Sequence, residues 1–402
     1  MRKQTGVTKD SAMNDRIKGP HIDYLLMAVA ITLVAIGLVM VYSASSPMAI
    51  RKFGDPTYFA LRNLVFAGGG LLTMLWVSRL PVSTIRSIGQ FGFWVSLLLL
   101  MLVLIPGIGI EGGGARRWIN LGAFTMQPSE LFKVTLALFV AHLLTANPER
   151  VHKLRGGLAP ILGVFGVAAA LLMSEPDFGA TVTAGAVLLG MIFISGVRVA
   201  WIISLLAVAV PAAAIGVIMA PYRFKRVISF LDPWDDPLGS DFQLVQSLLA
   251  FGNGGLTGMG LGEGRQKQFY LPESHTDFIF AVIGEELGLF MVLFMILLFS
   301  ILVWRGFSIA RRSQDRFVSL AATGISMLIG VQTMANMGVV MGLLPPKGLT
   351  LPLVSYGGSS LIVSMGAVGL LLAFSRAASD PSISSEPTGK GGFRLSALFG
   401  RA

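Results

Sequence analysis

The chain has 402 residues, of which 54% are hydrophobic and 13% are charged, whereas soluble domains carry about 25% charged residues, so the composition excludes an ordinary soluble protein. The formal net charge of +10 would suggest nucleic-acid binding in a soluble protein, but in a membrane protein basic residues collect on cytoplasmic loops, and we expect no nucleic-acid partner. The sequence contains no cysteine, which excludes disulfides, thiolate metal sites and a cysteine nucleophile.

Ten apolar segments follow one another along the chain, each close to the length of about 20 residues that crosses a bilayer as a helix. The first is too long for the core of a signal peptide, and we interpret it as a retained span. The segments cover about residues 24–43, 58–78, 88–106, 128–145, 158–174, 178–195, 199–219, 278–304, 317–339 and 351–375. The sequence therefore predicts an all-α polytopic membrane protein, with a ten-span domain at 22–376 between polar tails at 1–21 and 377–402 that we expect to be disordered.

The distribution of basic residues predicts the orientation of these spans. An even number of spans leaves both termini on one side, and 19 of the 31 lysines and arginines fall on that side, against 11 on the other. Because cytoplasmic loops are enriched in basic residues, both termini are predicted to be cytoplasmic. A Gly-rich loop at about 107–127 and a long loop at about 220–277, between spans seven and eight, then face outward.

The long outward loop contains three recognisable segments. The stretch PYRFKRVISFL predicts a short amphipathic helix with Arg223, Lys225 and Arg226 near the depth of lipid headgroups. The stretch SDFQLVQSLLAFG has the spacing of a capping box and predicts a helix on or re-entering the membrane. The glycines of GNGGLTGMGLGEG are not preceded by a strand, so we interpret them as a mobile or tightly turned loop rather than a dinucleotide site. The alternative is a backbone that approaches a ligand.

Five titratable residues lie together in PESHTDFIFAVIGEELG, where the long loop joins span eight: Glu273, His275, Asp277, Glu285 and Glu286. Asp277 is either a helix N-cap or a functional carboxylate, and His275 is either a hydrogen-bonding residue at the helix start or a proton carrier. Glu285 and Glu286 lie two turns into a span, where carboxylates are costly and mark a site or a partner. Eight residues of helix separate Asp277 from Glu285 by about 12 Å, so we expect them to line one polar cavity rather than to form a catalytic pair.

Other charges are expected at the same outer side. Lys133 lies in span four close to Glu130, Asp177 lies between spans five and six, Arg117 stands in the Gly-rich loop, and Lys347 precedes span ten. Each has a simpler interpretation as a local ion pair or a side chain that extends to the interface. Together, acids and cations from several spans favour an anionic, lipid-linked substrate, since cations bind phosphates and a carboxylate can accept a proton.

Five motifs, in this order, resemble those of the SEDS family (shape, elongation, division and sporulation) over about residues 24–375. They are GGARRWINLGAFTMQPSELFKV, SEPDFGA, FLDPWDDPLGSDFQLVQSLLAFGNGGLTGMGLG, YLPESHTDFIFAVIGEELG and GLLPPKGLTLPLVSYGGSS. The forms IGEELG and KGLTLPL are similar to the division-type members rather than the elongation-type ones. Glu175 departs from the pattern, because many relatives have glutamine before the Pro-Asp pair.

The resemblance implies ten transmembrane helices and a peptidoglycan glycosyltransferase that polymerises lipid II, an undecaprenyl-pyrophosphate disaccharide-pentapeptide, at the outer leaflet with inversion. Asp277 occupies the essential aspartate of the family and would be the general base. Arg117, Lys133 and Lys347 match basic positions that would hold the pyrophosphate. The further candidates for substrate binding are Asp177, Glu285, His275 and Ser355. No metal ligand or cofactor is assigned, and a divalent Mg²⁺ or Mn²⁺ at the acids stays open.

The resemblance also implies a location and partners. We expect a multi-pass protein of the bacterial cytoplasmic (inner) membrane at the division septum, paired with a class B penicillin-binding protein transpeptidase and with other division-complex proteins. The main alternative is a transporter that flips lipid II, which predicts a polar route to both faces and inverted repeats. A scaffold without chemistry of its own is the third interpretation, and it predicts that replacing the Asp277 carboxylate is tolerated.

Overall fold

The computed structural model describes residues 21–379 except 113, 123, 147–156, 238, 240–241, 269–270, 272–273 and 347, and it describes no side chain for residues 222 and 229. The predicted tails at 1–21 and 377–402 lie almost wholly outside the described residues. Their predicted disorder and cytoplasmic location therefore stay predictions.

The described residues form twelve α-helices and one small sheet. The helices are α1 Tyr24–Phe53, α2 Tyr58–Ser78, α3 Val82–Val103, α4 Pro128–Ala146, α5 Ala159–Ser174, α6 Phe178–Ile194, α7 Val199–Ile218, α8 Pro221–Leu231, α9 Phe242–Gly254, α10 Ile279–Arg312, α11 Arg316–Val340 and α12 Gly358–Ser379. All of them except α8 and α9 correspond to the apolar segments predicted as spans.

Eight of these helices are long and apolar enough to cross a membrane, and the apolar helices α5 and α6, of 16 and 17 residues, complete the predicted set of ten. The prediction of a helical polytopic membrane protein is confirmed, and the chain is a multi-pass membrane protein. The boundaries differ at four spans: α1 continues to Phe53, α3 starts at Val82, α10 continues to Arg312, and the last helix starts at Gly358 rather than near 351. Turns occupy 352–356, where Leu353 has a positive φ of 66°.

The Gly-rich loop, which is predicted to face outward, contains regular strands, so the prediction of an all-α chain does not hold for this segment. It forms an antiparallel sheet of β1 Gly109–Gly112, β2 Ala115–Asn120 and β3 Thr125–Met126, in the order β1-β2-β3. Strands this short carry too few alternating residues to be recognised in the sequence. The central strand β2 carries Arg117, so the sheet gives that side chain a fixed position.

The core of the bundle is formed by α4, α11 and α12, which bury most of their length, whereas α7 buries none of its residues. Helix α4, which carries Lys133, and helix α11, which packs behind the HTDF turn, are therefore surrounded by other parts of the protein. Helix α7, with the amphipathic helix α8 that follows it, lies at the periphery of the described bundle. The sequence of α7, VAWIISLLAVAVPAAAIGVI, is almost wholly apolar, so its exposed surface suits lipid.

Helix α10 is broken at Gly288, whose φ of 71° and ψ of −173° are not helical. The Gly-rich segment after α9 fills the break: the Met259 amide donates to the Glu285 carbonyl, and the Leu289 amide donates to the Gly255 carbonyl, both at 3.0 Å. Backbone groups that the break leaves without helical partners are thereby satisfied inside the protein. The prediction of a tightly turned glycine loop is confirmed from Gly255 onward, and its backbone packs against helix α10, whereas an approach to a ligand stays a prediction.

Candidate functional site

Asp277 lies in a series of turns at 274–278, and helix α10 begins only at Ile279. The N-cap position is Phe278, which makes no capping bond through its side chain, so the interpretation of Asp277 as the N-cap is wrong. The Asp277 side chain is half-buried. It faces Gly348, because a β-carbon built on that glycine would lie 3.1 Å from the Asp277 Oδ2 atom.

Two side chains from other elements hold the turn that carries Asp277. The Asn336 amide on α11 donates to the Asp277 carbonyl at 2.8 Å and also to the Leu349 carbonyl. The Ser355 hydroxyl donates to the Thr276 carbonyl at 2.6 Å. The turn and the 348–355 segment are therefore fastened to each other. Sequence reasoning found Ser355 only through its motif and missed Asn336, although an amide deep in a span was a usable signal.

His275 is buried, and its ring packs against Phe59 and Tyr356, with centroid distances of 5.1 and 5.5 Å. Its carbonyl accepts a hydrogen bond from the Tyr356 amide at 3.0 Å. These contacts fix the start of the HTDF turn against α2 and the segment before α12. A further role of His275 in substrate binding stays a prediction.

A cavity of about 160 Å³ lies beside the Asp277 turn. The charged side chains that line it, among the described residues, are Arg117 from β2, Asp177 from the N-cap of α6, and Arg223 and Arg226 from α8. Gly348, which faces the Asp277 carboxyl, lines the same cavity. The structure therefore brings together three predicted elements of the site, namely the Gly-rich loop, the SEPDFGA turn and the segment before α12, next to the expected base.

Arg117 and Asp177 are both held at the turn between α5 and α6. The Arg117 guanidinium donates to the carbonyls of Glu175 at 3.0 Å and Pro176 at 2.7 Å. The Asp177 carboxylate caps α6 by accepting from the Ala180 amide at 2.9 Å. Its other oxygen accepts from the side chains of Gln127 and Ser129, at 3.3 and 3.2 Å. Asp177 thus has a structural task, and a role in substrate binding stays a prediction.

Glu175 is fully buried, and among the described residues neither of its carboxyl oxygens has a hydrogen-bond partner. Burial and the nearby Asp177 carboxylate raise the pKa of Glu175 to about 8, and Arg117 partly opposes that rise. The side chain is therefore mostly protonated at neutral pH, and its position next to Arg117 adds little negative charge.

Lys133 is buried in α4 and forms an ion pair with Glu130 at 2.9 Å, one turn earlier in the same helix. The interpretation as a local ion pair is confirmed. Lys133 does not line the arginine-rich cavity, and its predicted contact with the substrate stays a prediction. Lys347 lies outside the described residues, but both of its neighbours, Pro346 and Gly348, line the cavity.

Glu285 and Glu286 do not line a cavity together with Asp277. Both side chains instead bind the segment 265–267 of the loop before helix α10. The fully buried Glu285 carboxylate accepts from the backbone amides of Arg265 and Gln266 at 3.1 Å each. Glu286 forms a buried ion pair with Lys267 at 2.7 Å. Hydrogen bonds of this kind satisfy both carboxylates within the protein, and a direct contact of Glu285 with substrate stays a prediction.

The hydroxyl of Ser43 on α1 completes the Glu286 cluster. It lies 2.7 Å from a Glu286 oxygen and 2.9 Å from the Lys267 Nζ atom. Sequence reasoning missed Ser43 and Lys267, because the long loop gives no pattern that relates them to span eight.

Among the described residues, no group of three or more His, Asp or Glu side chains is arranged to hold a metal ion.

Comparisons with known proteins agree with this arrangement. The family model FTSW_RODA_SPOVE, described as "Cell cycle protein", matches residues 23–380. Stage V sporulation protein E of Bacillus subtilis is 46% identical over 355 residues, which cover 88% of this chain and 97% of that protein. A protein of Geobacter metallireducens named "Probable peptidoglycan glycosyltransferase FtsW" is 46% identical over 348 residues, which cover 87% and 92% of the two chains.

A solved structure shares the fold. It is described as "Structural coordination of polymerization and crosslinking by a peptidoglycan synthase complex", and the superposition has a TM-score of 0.74. The matched chain is 32% identical, and the alignment covers 89% of this chain and 98% of that one. The similarity therefore extends over the whole ten-span bundle and is not confined to the motifs.

Proposed function

Because the chain belongs to the FtsW/RodA/SpoVE family and is a peptidoglycan glycosyltransferase like its relatives, we propose that it polymerises lipid II with Asp277 as general base. The observation that carries the proposal is the position of Asp277. Its half-buried carboxyl faces Gly348, and Gly348 lines a cavity that holds three arginines. The proposed base therefore lies next to a set of cations, as the transfer of a sugar from a pyrophosphate leaving group requires.

In the proposed reaction, one lipid II supplies the 4-hydroxyl of its N-acetylglucosamine, and the growing glycan supplies the anomeric carbon of its N-acetylmuramic acid. The hydroxyl oxygen forms the new glycosidic bond while its proton passes to the Asp277 carboxylate. The bond from the anomeric carbon to the pyrophosphate breaks, and undecaprenyl pyrophosphate leaves with the electron pair. A positioned base contributes about 10²–10⁴-fold to such a step.

The residues around Asp277 have supporting tasks in this reaction. Ser355 and Asn336 hold the backbone on either side of the carboxyl, which keeps the base close to its productive position. Arg117 lines the cavity while its guanidinium donates to two neutral carbonyls, so those hydrogen bonds orient the group without neutralising its charge. A fixed cation of this kind stabilises the charge that develops on the departing pyrophosphate.

The test is polymerisation of lipid II by the purified protein carrying Asp277→Asn. The amide keeps the shape but cannot accept the proton, so we expect glycan synthesis to fall by about 10²-fold or more. Asp235→Asn is the matched control, because Asp235 is exposed in the same outward loop, and it should polymerise within about twofold of the parent. Parental turnover by Asp277→Asn would remove Asp277 from the role of base. Lipid II transport without glycan products would instead favour the flippase.

The cellular setting is proposed on the same basis. We expect the chain in the bacterial inner membrane at the division septum, with both termini in the cytoplasm and a class B penicillin-binding protein as its crosslinking partner. The solved complex that shares this fold is named for both polymerization and crosslinking, which supports such a partner. Glycan length measured with and without a co-purified transpeptidase tests the pairing.

A further inference from the structure

The cavity beside Asp277 has a wall that the family motifs do not account for. Helix α8, Pro221–Leu231, contributes Arg223 and Arg226 to the lining. These two residues are three apart, so they project from one face of the helix. Lys225 projects elsewhere: it lies 3.9 Å from Asp236 and does not line the cavity. The helix thus turns two of its three basic residues toward the cavity.

The charges of the lining favour an anion. Among the described residues of the lining, the three arginines Arg117, Arg223 and Arg226 face the single carboxylate of Asp177, so positive charge is in excess there. That carboxylate is engaged by the α6 amide of Ala180 and by two side chains. In the part of the chain that the structure describes, no carboxylate lies within 4.0 Å of Arg117 or Arg226.

Glu175 does not cancel this positive charge, because its burial and the neighbouring Asp177 raise its pKa to about 8. The cavity volume of about 160 Å³ is far above the roughly 10–15 Å³ that one water needs. An excess of positive charge in the described lining suits a pyrophosphate diester, which carries one ionised oxygen on each phosphate. Planar guanidinium groups bind phosphate oxygens in pairs, which makes arginine better suited to this task than lysine.

We propose that Arg223 and Arg226, together with Arg117, form a pyrophosphate-binding subsite of the polymerase. The proposal rests on the proposed function and adds to it a pair of residues from the amphipathic helix. Helix α8 lies next to the lipid-exposed helix α7, so the subsite is placed where a lipid-linked pyrophosphate can reach it with its polyprenyl chain still in the bilayer. The same chemistry occurs in phospholipid headgroups, and the two arms of the experiment separate these sources.

The experiment measures binding of undecaprenyl pyrophosphate to full-length protein in nanodiscs of phosphatidylcholine. All samples carry Asp277→Asn, so binding is read without turnover, and failure of this proposal is distinguishable from failure of the base assignment. We expect Arg226→Ala to weaken binding about tenfold or more. Arg226→Lys should be intermediate because it keeps the charge and loses the paired contact. Lys225→Ala, the control on the same helix, should change binding less than about twofold.

Arg223→Ala is a secondary variant, because Arg223 also donates to the Gly216 carbonyl at 3.0 Å and packs over the Phe178 ring.

Equal binding by Arg226→Ala and Lys225→Ala overturns the proposal. Nanodiscs that contain phosphatidylglycerol provide the second arm. If this anionic lipid abolishes the difference between Arg226→Ala and Lys225→Ala, the arginines bind headgroups and the subsite is overturned. A difference that persists there supports it.

Discussion

At the scale of single residues, the buried carboxyl of Glu175 makes the stability of the protein depend on pH. Its pKa in the folded protein is about 8, above the ordinary value of 4.5. A raised pKa contributes stability that is full below pH 4.5 and is lost as the pH rises through 8, because the unfolded chain ionises first. Glu175→Gln does not titrate, so its melting temperature should exceed that of the parent by an amount that grows between about pH 5 and pH 8.

Thermal unfolding in one detergent at several pH values checks this expectation. Glu263→Gln is the control, since Glu263 is exposed, and it separates the removal of one glutamate charge from the removal of the buried carboxyl. A gain for Glu175→Gln that is the same at pH 5 and pH 8 would contradict the raised pKa.

The buried carboxylates of Glu285 and Glu286 show how far single residues can be interpreted from the sequence. Their cost in a span is evident from hydropathy, and it leads to the expectation of a polar cavity. The structure satisfies them with backbone amides and with Lys267 from the preceding loop. Hydropathy reports the depth of a residue, whereas its partner depends on which loop folds back against the helix.

At the scale of elements, the broken helix α10 depends on the glycine at its break. Gly288 has a φ of 71°, and a β-carbon there would meet the backbone of Gly258 and Leu256. Strained backbone of this type costs on the order of 1–3 kcal/mol before any clash, so Gly288→Ala should lower the melting temperature strongly. The loop that Gly288 contacts leads into the amides that bind Glu285, so glycan synthesis should fall as well.

Gly252→Ala in helix α9 is the matched control. Nothing lies within 4 Å of a β-carbon at Gly252, and alanine in place of helical glycine stabilises by about 0.5–1 kcal/mol. Unfolding curves of the two variants should therefore shift in opposite directions. An unchanged melting temperature for Gly288→Ala would show that the segment at 255–260 does not depend on the break.

The long apolar helices are the elements that the sequence predicts well, because lipid requires a helix wherever the backbone crosses it. The sheet at 109–126 and the break at Gly288 were missed. The strands are only two to six residues long. The break lies two residues after Glu286 inside the segment predicted as span eight, and neither the two acids nor the glycine distinguishes a broken helix from a continuous one, whereas the φ of Gly288 does.

At the scale of the whole molecule, the site is assembled from segments far apart in sequence, and the motifs identified those segments better than they identified contacts. Arg117, Asp177 and Gly348 come together because β2, the turn before α6 and the segment before α12 meet at one cavity. Arg226 joins them only through the position of α8, so the sequence could place it near headgroups without relating it to Asp277. Lys133 was expected in the same group and lies instead in its own ion pair.

The predicted orientation of the whole chain can be tested with single cysteines. Because the chain has no cysteine, one introduced cysteine reports one position without further changes. Gln268 is exposed in the long loop before α10, and Gln314 is exposed between α10 and α11, at the other end of the same span. In intact spheroplasts, a membrane-impermeant maleimide should label Gln268→Cys and leave Gln314→Cys unlabelled until the membrane is opened with detergent.

These two variants control for each other, because both replace an exposed glutamine in a loop that flanks α10. A difference in labelling therefore reports the side of the membrane rather than the exposure of the residue. Polymerisation at the outer leaflet requires the Asp277 turn and its arginine-lined cavity to share the side of Gln268. Gln268 and Asp277 both precede the membrane-crossing part of α10, and Gly348 of the cavity lining faces the Asp277 carboxyl. The reverse labelling pattern would place the site in the cytoplasm, where it could not act on lipid II presented at the outer leaflet.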